Sequence, residues 1–497
     1  MKRKLTPERL MKDLSSIKKL FTIPKEGVND ANFAEAMKQA ISLELATIPT
    51  YLSTYYSIQR TPDQAAIYQK ILSSIPADLN QDASKIAEEM TLDVMVYSNK
   101  TAALIMSVVI EEMLHLSLSS NVNQAMIGPP NLLSIVPNLN FPTQLDGHQP
   151  EFPINLGKLS MQQLKTFLQI ESPNAFTVGT PELLRAVKYT TIGEFYEMII
   201  DYITNDYKGG YDTTRPQLTP DQPFYSQNSI NTVYYDRDHN PHFVSDDDSG
   251  ELIRVVNGPT AIDAMKEIIH QGEGHTGGTQ LTFDKNGMPI PLPVVDGEVQ
   301  FSPEDYDDPD KKELSHFGKF LEAYSLAAHY IPKFEQYGID FFDLFVYNQL
   351  DNAKLTDFAS NEEVQLVAEL GNAIYTYIIL MIDTCYHADA STQFKVFMYG
   401  IHKSMIWLLS ELGNGIRQKT FTKDGVTYNG ALSFEYYDFT TTAQTSPKAQ
   451  IIALATTLGN SYPSWAWLTN DQAYLNALPD VALDYAVTAN VPKIPEA

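Results

Sequence analysis

Glu112 and His115 stand three residues apart in the mainly apolar run Val108-Val-Ile-Glu-Glu-Met-Leu-His115. On a helix, residues i and i+3 share a face, so a carboxylate and an imidazole project side by side. Turned toward a protein interior, both groups are costly to bury unless something neutralises them. A pair of divalent metal ions does so. A Glu from each of two helices, with Glu-x-x-His from each of two others, holds such a pair inside a four-helix bundle. The plainer reading is a satisfied core histidine beside a solvated acidic face. Partner ligands on other helices decide between the two.

The elements that must supply those partners follow from periodicity. Residues 30–58 form an amphipathic segment with Met37, Ala40, Ile41, Ile48, Tyr51, Leu52 and Tyr55 on one face and Glu44 among them. Pro49 should bend this helix one turn beyond Glu44. The helix carrying Glu112 and His115 is expected over Thr101–Met126, stopping at Gly128-Pro-Pro130. A third, Thr191–Ile203, has the stripe Ile192, Phe195, Tyr196, Ile199, Ile200 and Ile203, and offers Glu194 and Glu197. Phase favours Glu197, nearer the edge of the stripe. A fourth, Thr260–Glu273, carries its apolar stripe onto Glu273, bracketed by glycines in Gln271-Gly-Glu-Gly274. The accompanying histidine stays open among His270, His275 and His316, the last near the start of a fifth helix over Lys311–His329.

Polar, Pro- and Gly-rich stretches at 129–157, 205–260 and 274–310 read as insertions, with a strand-like piece at Glu251–Val256 and a turn at Asn286-Gly287. Beyond Asn361 the pattern is helical through Ile416, with shorter helices over Pro447–Leu458 and Asp471–Val487. The expected organisation is an N-terminal segment (1–29), one mainly α-helical bundle with insertions (30–330) and a C-terminal helical domain (331–497).

Composition narrows the function classes. The 497 residues, 43% hydrophobic, suffice for a large core. Lys and Arg total 35 against 61 Asp and Glu, a net charge of −26. That balance argues against nucleic acid and anionic membranes as partners. The densest apolar run, Ile374–Ile382, is far shorter than a membrane span. A single cysteine, Cys385, excludes a disulfide framework, a cysteine zinc site and an iron–sulfur cluster, and fits a reducing cytoplasm. No glycine-rich phosphate loop, Gly-x-Ser-x-Gly elbow or His-Glu-x-x-His is present.

The motifs taken together resemble a known family. Leu43-Glu-Leu-Ala-Thr-Ile-Pro-Thr-Tyr51, Glu111-Glu-Met-Leu-His115 with Asn123 and Gly128-Pro-Pro130, Thr191-Ile-Gly-Glu-Phe-Tyr196, Gln271-Gly-Glu-Gly274 and His316-Phe317 are similar to segments of the iminophenyl-pyruvate dimer synthases. That group includes the ferritin-like subunit that dimerises an imine of indole-pyruvate in violacein- and rebeccamycin-type pigment pathways. The resemblance spans roughly residues 30–330. It implies a ferritin-like four-helix bundle with loop and hairpin insertions, and a non-haem dimetal centre in which iron is expected and manganese or a mixed pair stays open. Glu44, Glu112, His115, Glu273 and His316 would be its ligands. The matching Gly-Glu-Phe-Tyr motif points to Glu194 on the third helix, against the phase argument for Glu197.

The implied activity is a dioxygen-dependent oxidation of a small amino- or imino-acid-like molecule in secondary metabolism. Long insertions suit lids and pockets, which favours catalysis. The alternative is an iron-binding protein without turnover, storing or sensing the metal. Dioxygen and a small substrate are the expected partners, with a homodimer an open possibility.

Overall fold

The computed structural model describes residues 27–76, 82–136, 139–144, 152–173, 191–219, 252–272, 279, 281–284, 288–308, 313–439, 446–470 and 475–481. The fold is mainly α-helical. Its bundle half comprises α1 (Phe33–Ser57), α2 (Gln64–Ser74), α3 (Ala83–Met126), α4 (Met161–Ile170), α5 (Ile192–Asn205), α6 (Gly258–Gly272) and α7 (His316–Glu335).

Side-chain caps set the starts of several of these helices. Asp82 accepts from the Ser84 and Lys85 amides ahead of α3, Ser160 from Gln163 ahead of α4, Thr191 from Glu194 ahead of α5, and Ser315 from Gly318 ahead of α7. Each satisfies backbone donors that a helix start leaves without partners. Helix α1 runs on through Pro49 to Ser57 and is buried along most of its length. Helix α3 is 44 residues long, starting at Ala83 rather than near Thr101. Its early turns bury Ala87, Met90, Val94 and Tyr97 under α2 and α7, so one continuous buried face carries the helix past the expected start. Periodicity also passed over α2 and α4.

Helix α3 packs along α1, α2, α6 and α7, and α4 lies across the start of α7. The rings of Tyr51, Phe167 and Phe320 join α1, α4 and α7, with centroids 4.7 Å apart for Tyr51–Phe167 and 4.8 Å for Phe167–Phe320. Such pairs contribute about 0.5–1.5 kcal/mol beyond their burial, and these two hold the last turn of α4 against α1 and α7.

The long 274–310 insertion contains a short hairpin, β1 (Val294–Val295) with β2 (Glu298–Val299), turning at Asp296-Gly297 where both residues have positive φ. The turn expected at Asn286-Gly287 lies outside the described residues. Residues 252–256 form no strand.

The second half contributes α8 (Glu362–Cys385), α9 (Ala390–Lys395), two π-helical runs (Val396–His402 and Ser404–Leu409), α10 (Ser410–Ile416) and α11 (Pro447–Ser461). It shares one continuous hydrophobic core with the bundle. Asp383 on α8 accepts from the Leu132 and Leu133 amides at 2.7 and 2.8 Å, and the Gln124 side chain donates to the Tyr386 carbonyl at 2.6 Å. The boundary expected near 330 falls within α7. Helices α3 and α8 are long and apolar enough to cross a membrane, unlike the shorter run seen in sequence, but 89% and 83% of their apolar windows are buried inside the protein.

Candidate metal centre

Four elements converge on one buried cluster. From α1 comes Glu44, and from α3 come Glu111, Glu112 and His115. Glu171 follows the last turn of α4, on the face of Leu164, Phe167 and Leu168. His316 is the first residue of α7, and none of its surface is exposed.

His316 Nδ1 lies 3.0 Å from Glu112 Oε1 and 3.5 Å from Glu171 Oε2, while its Nε2 lies 2.9 Å from Glu111 Oε2. His115 Nδ1 lies 3.6 Å from Glu44 Oε2, and its Nε2 is 3.0 Å from Gln271 Oε1 on α6. The two imidazoles stack, with centroids 5.0 Å apart and planes 28° from parallel. One donor atom from each of Glu112, His115 and His316 falls within 4.8 Å of the others.

Hydroxyls hold the carboxylates from behind. Thr47 donates to Glu112 Oε2 at 2.6 Å, Tyr196 to Glu44 and Tyr51 to Glu171. Lys319, one turn into α7, donates to both Glu111 oxygens at 2.6 and 2.7 Å.

Electrostatics show how strongly these groups lean on one another. Burial and the nearby Glu44 charge push the Glu112 carboxyl well above its usual range, against the pull of His316. Burial also raises Glu44, but the His115 contact outweighs it and the net shift is downward. Burial raises Glu111, yet the Lys319 ammonium and then His316 bring it to about 2. For His316, burial disfavours the charged ring, but contacts with Glu111, Glu112 and Glu171 prevail and raise it well above the ordinary imidazole value. Burial, followed by the carboxylate charges, holds the Tyr51 and Tyr196 hydroxyls protonated far above the usual phenol range.

The residues fit a metal. Neither ring nitrogen of the fully buried His316 meets hydrogen-bond geometry, despite carboxylate oxygens at 2.9 and 3.0 Å. A positive ion among these atoms would satisfy donors that now crowd one another. Three carboxylates and two imidazoles are a donor set suited to iron or manganese.

Of the residues singled out from sequence, the structure brings together Glu44, Glu112, His115 and His316. It does not bring Glu194 or Glu197 to the cluster, which corrects the expectation for the third helix. Helix α5 turns Phe195, Tyr196 and Ile199 inward and leaves both glutamates exposed. Tyr196 occupies the inward position and reaches Glu44. His270 is exposed on the outer face of α6. Glu273 and His275 lie outside the described residues.

Sequence reasoning missed Glu171, although its signal was present: Leu164, Phe167, Leu168 and Glu171 follow helical spacing. It also missed Glu313, three residues before His316, a second Glu-x-x-His spacing; the Glu313 side chain is outside those described. Gln271, Thr47 and Tyr51 sat within quoted motifs without a role.

Residues 37–325 match the family model described as ferritin-like, and the chain belongs to that family. The bundle and its buried Glu and His cluster are those of a ferritin-like protein able to hold a metal. Among solved structures, a ferritin-like protein from Caulobacter vibrioides is similar at 18% identity, covering 80% of this chain and 98% of that one, with a TM-score of 0.36. No curated protein matches.

Proposed function

We propose that this chain is a non-haem dimetal oxidoreductase that uses an iron pair and dioxygen to oxidise a small amino- or imino-acid-like molecule. The carrying observation is His316, wholly buried and set among three carboxylates from two helical segments, with neither ring nitrogen in a satisfied hydrogen bond. Glu44, Glu112, Glu171, His115 and His316 would hold the ions. When bound, an iron pair supplies dioxygen activation and accepts or delivers electrons. The placement near the iminophenyl-pyruvate dimer synthases belongs to the same proposal, and the shared motifs around Glu44, Glu112 and His316 support it.

The chain's own residues prepare that chemistry. Tyr51, Tyr196 and Thr47 keep their protons and fix three carboxylate orientations. A narrow cavity of about 20 Å³ adjoins the cluster, walled by Leu43, Ile192, Gly193, Ile268 and Gly272. Its apolar walls restrict water beside the donors, which strengthens electrostatic interactions there.

The test is elemental analysis of protein purified without oxygen, followed by ferrous loading and oxygen-uptake measurements with a panel of amino and imino acids. Stoichiometric iron with substrate-dependent oxygen uptake supports the reading. Iron accumulated in excess, with no small molecule oxidised, favours storage instead. Protein that takes up no iron overturns both.

A further inference from the structure

The two imidazoles are backed by different chemistry. Behind His115, Nε2 meets the neutral amide oxygen of Gln271 at 3.0 Å. Behind His316, the Glu111 carboxylate lies 2.9 Å from Nε2 as a charge contact outside hydrogen-bond geometry, and Lys319 clamps both oxygens of that carboxylate. The inward nitrogens differ as well. His316 Nδ1 faces two carboxylates, at 3.0 and 3.5 Å, whereas His115 Nδ1 faces one at 3.6 Å.

An anionic partner on the far nitrogen of a ligating imidazole raises its basicity, and such outer partners change metal affinity about 10–100-fold when mutated. We propose that Glu111, held by Lys319, makes the two metal positions unequal, so that the position beside His316 fills with a divalent ion before the position beside His115. This rests on the dimetal reading above and adds an order of loading to it. Glu111 and Lys319 are positioning residues, acting through His316. Gln271 is their weaker counterpart behind His115.

Cobalt(II) is the probe, followed by its visible absorption during titration and by anomalous scattering from crystals of the full chain given one equivalent. The wild type should show two binding steps, with the first ion beside His316. Glu111→Gln should weaken the first step about 10–100-fold, toward the second. Because that change strands a buried ammonium, the double variant Glu111→Gln with Lys319→Met provides a folded control and should show the same weakening. Gln271→Glu should tighten the second step. A first ion beside His115, two indistinguishable steps in the wild type, or an unchanged first step in both Glu111 variants overturns the proposal while leaving the dimetal reading intact. A wild type that binds no cobalt overturns both.

Discussion

The Tyr51 hydroxyl donates to Glu171, tying the inner face of α1 to the residue just beyond α4. That bond, with the Tyr51, Phe167 and Phe320 rings packed behind it, fixes a carboxylate beside His316 that no Glu-x-x-His spacing announces.

Glu171→Ala should therefore lose metal, with affinity falling at least about 10-fold, the lower end of what even outer partners of a metal site contribute. Glu194→Ala and Glu197→Ala, which alter exposed side chains, should retain it. Metal content after dialysis against a weak chelator measures all three. The reverse ranking would restore the third helix as the source of the ligand.

Tyr196→Phe removes the hydroxyl donor of a buried carboxylate, Glu44. Hydrogen bonds to charged groups contribute about 1.5–3 kcal/mol, and denaturant unfolding of the chelator-treated protein should show a loss of that size. A change within error would mean that Glu44 is satisfied without Tyr196.

Asp383 gives the stability a pH signature outside the cluster. Burial raises its carboxyl to about 7, although the Leu133 and Leu132 amides pull it down. The folded state thus binds this proton more tightly than the unfolded chain does. Its contribution is fully present below about pH 4 and is lost as pH rises through about 7. A shift of about three units corresponds to at most ~4 kcal/mol. Asp383→Asn should flatten that part of the slope between pH 4 and 7. It should also cost about 1–3 kcal/mol, because its amide NH₂ faces one of the two donor N–H groups. Parallel wild-type and variant curves would remove Asp383 as the source.

Gly413, in α10, lies against the Tyr56 ring, where an added Cβ would meet ring atoms at 2.8 and 2.9 Å. The ring is buried and rigid, so Gly413→Ala should destabilise by about 1–3 kcal/mol despite the better helix propensity of alanine. A higher melting temperature would show that the ring can move aside.

Helices α1, α5 and α6 and the later turns of α3 were legible in the apolar periodicity, and Glu44, Glu112 and His115 stood out because each interrupts an apolar stripe. His316, by contrast, was one of three open histidines and was singled out only by the family resemblance. Phase even gave the right warning at α5, where it set Glu194 apart from the stripe, although it still favoured Glu197. What it lacked was Tyr196, an aromatic residue that reads as core and instead delivers a hydroxyl to Glu44. Glu171 escaped because α4 is short and follows a Pro-rich stretch that reads as loop. Helix α2, likewise short, gave too few turns for periodicity to stand out. The linkage of Asp383 to the Leu132 and Leu133 amides depends on tertiary contact and leaves no local trace.

Glu44, Glu112, Glu171 and His316 come from segments far apart along a chain whose single cysteine rules out any internal disulfide. Ions shared among these residues would close three successive long loops at once. Closing loops lowers the entropy of the unfolded chain, and the cost of closure grows only slowly with loop length. The cluster would thus serve as a reversible counterpart of covalent cross-links, one that a chelator opens and metal closes again.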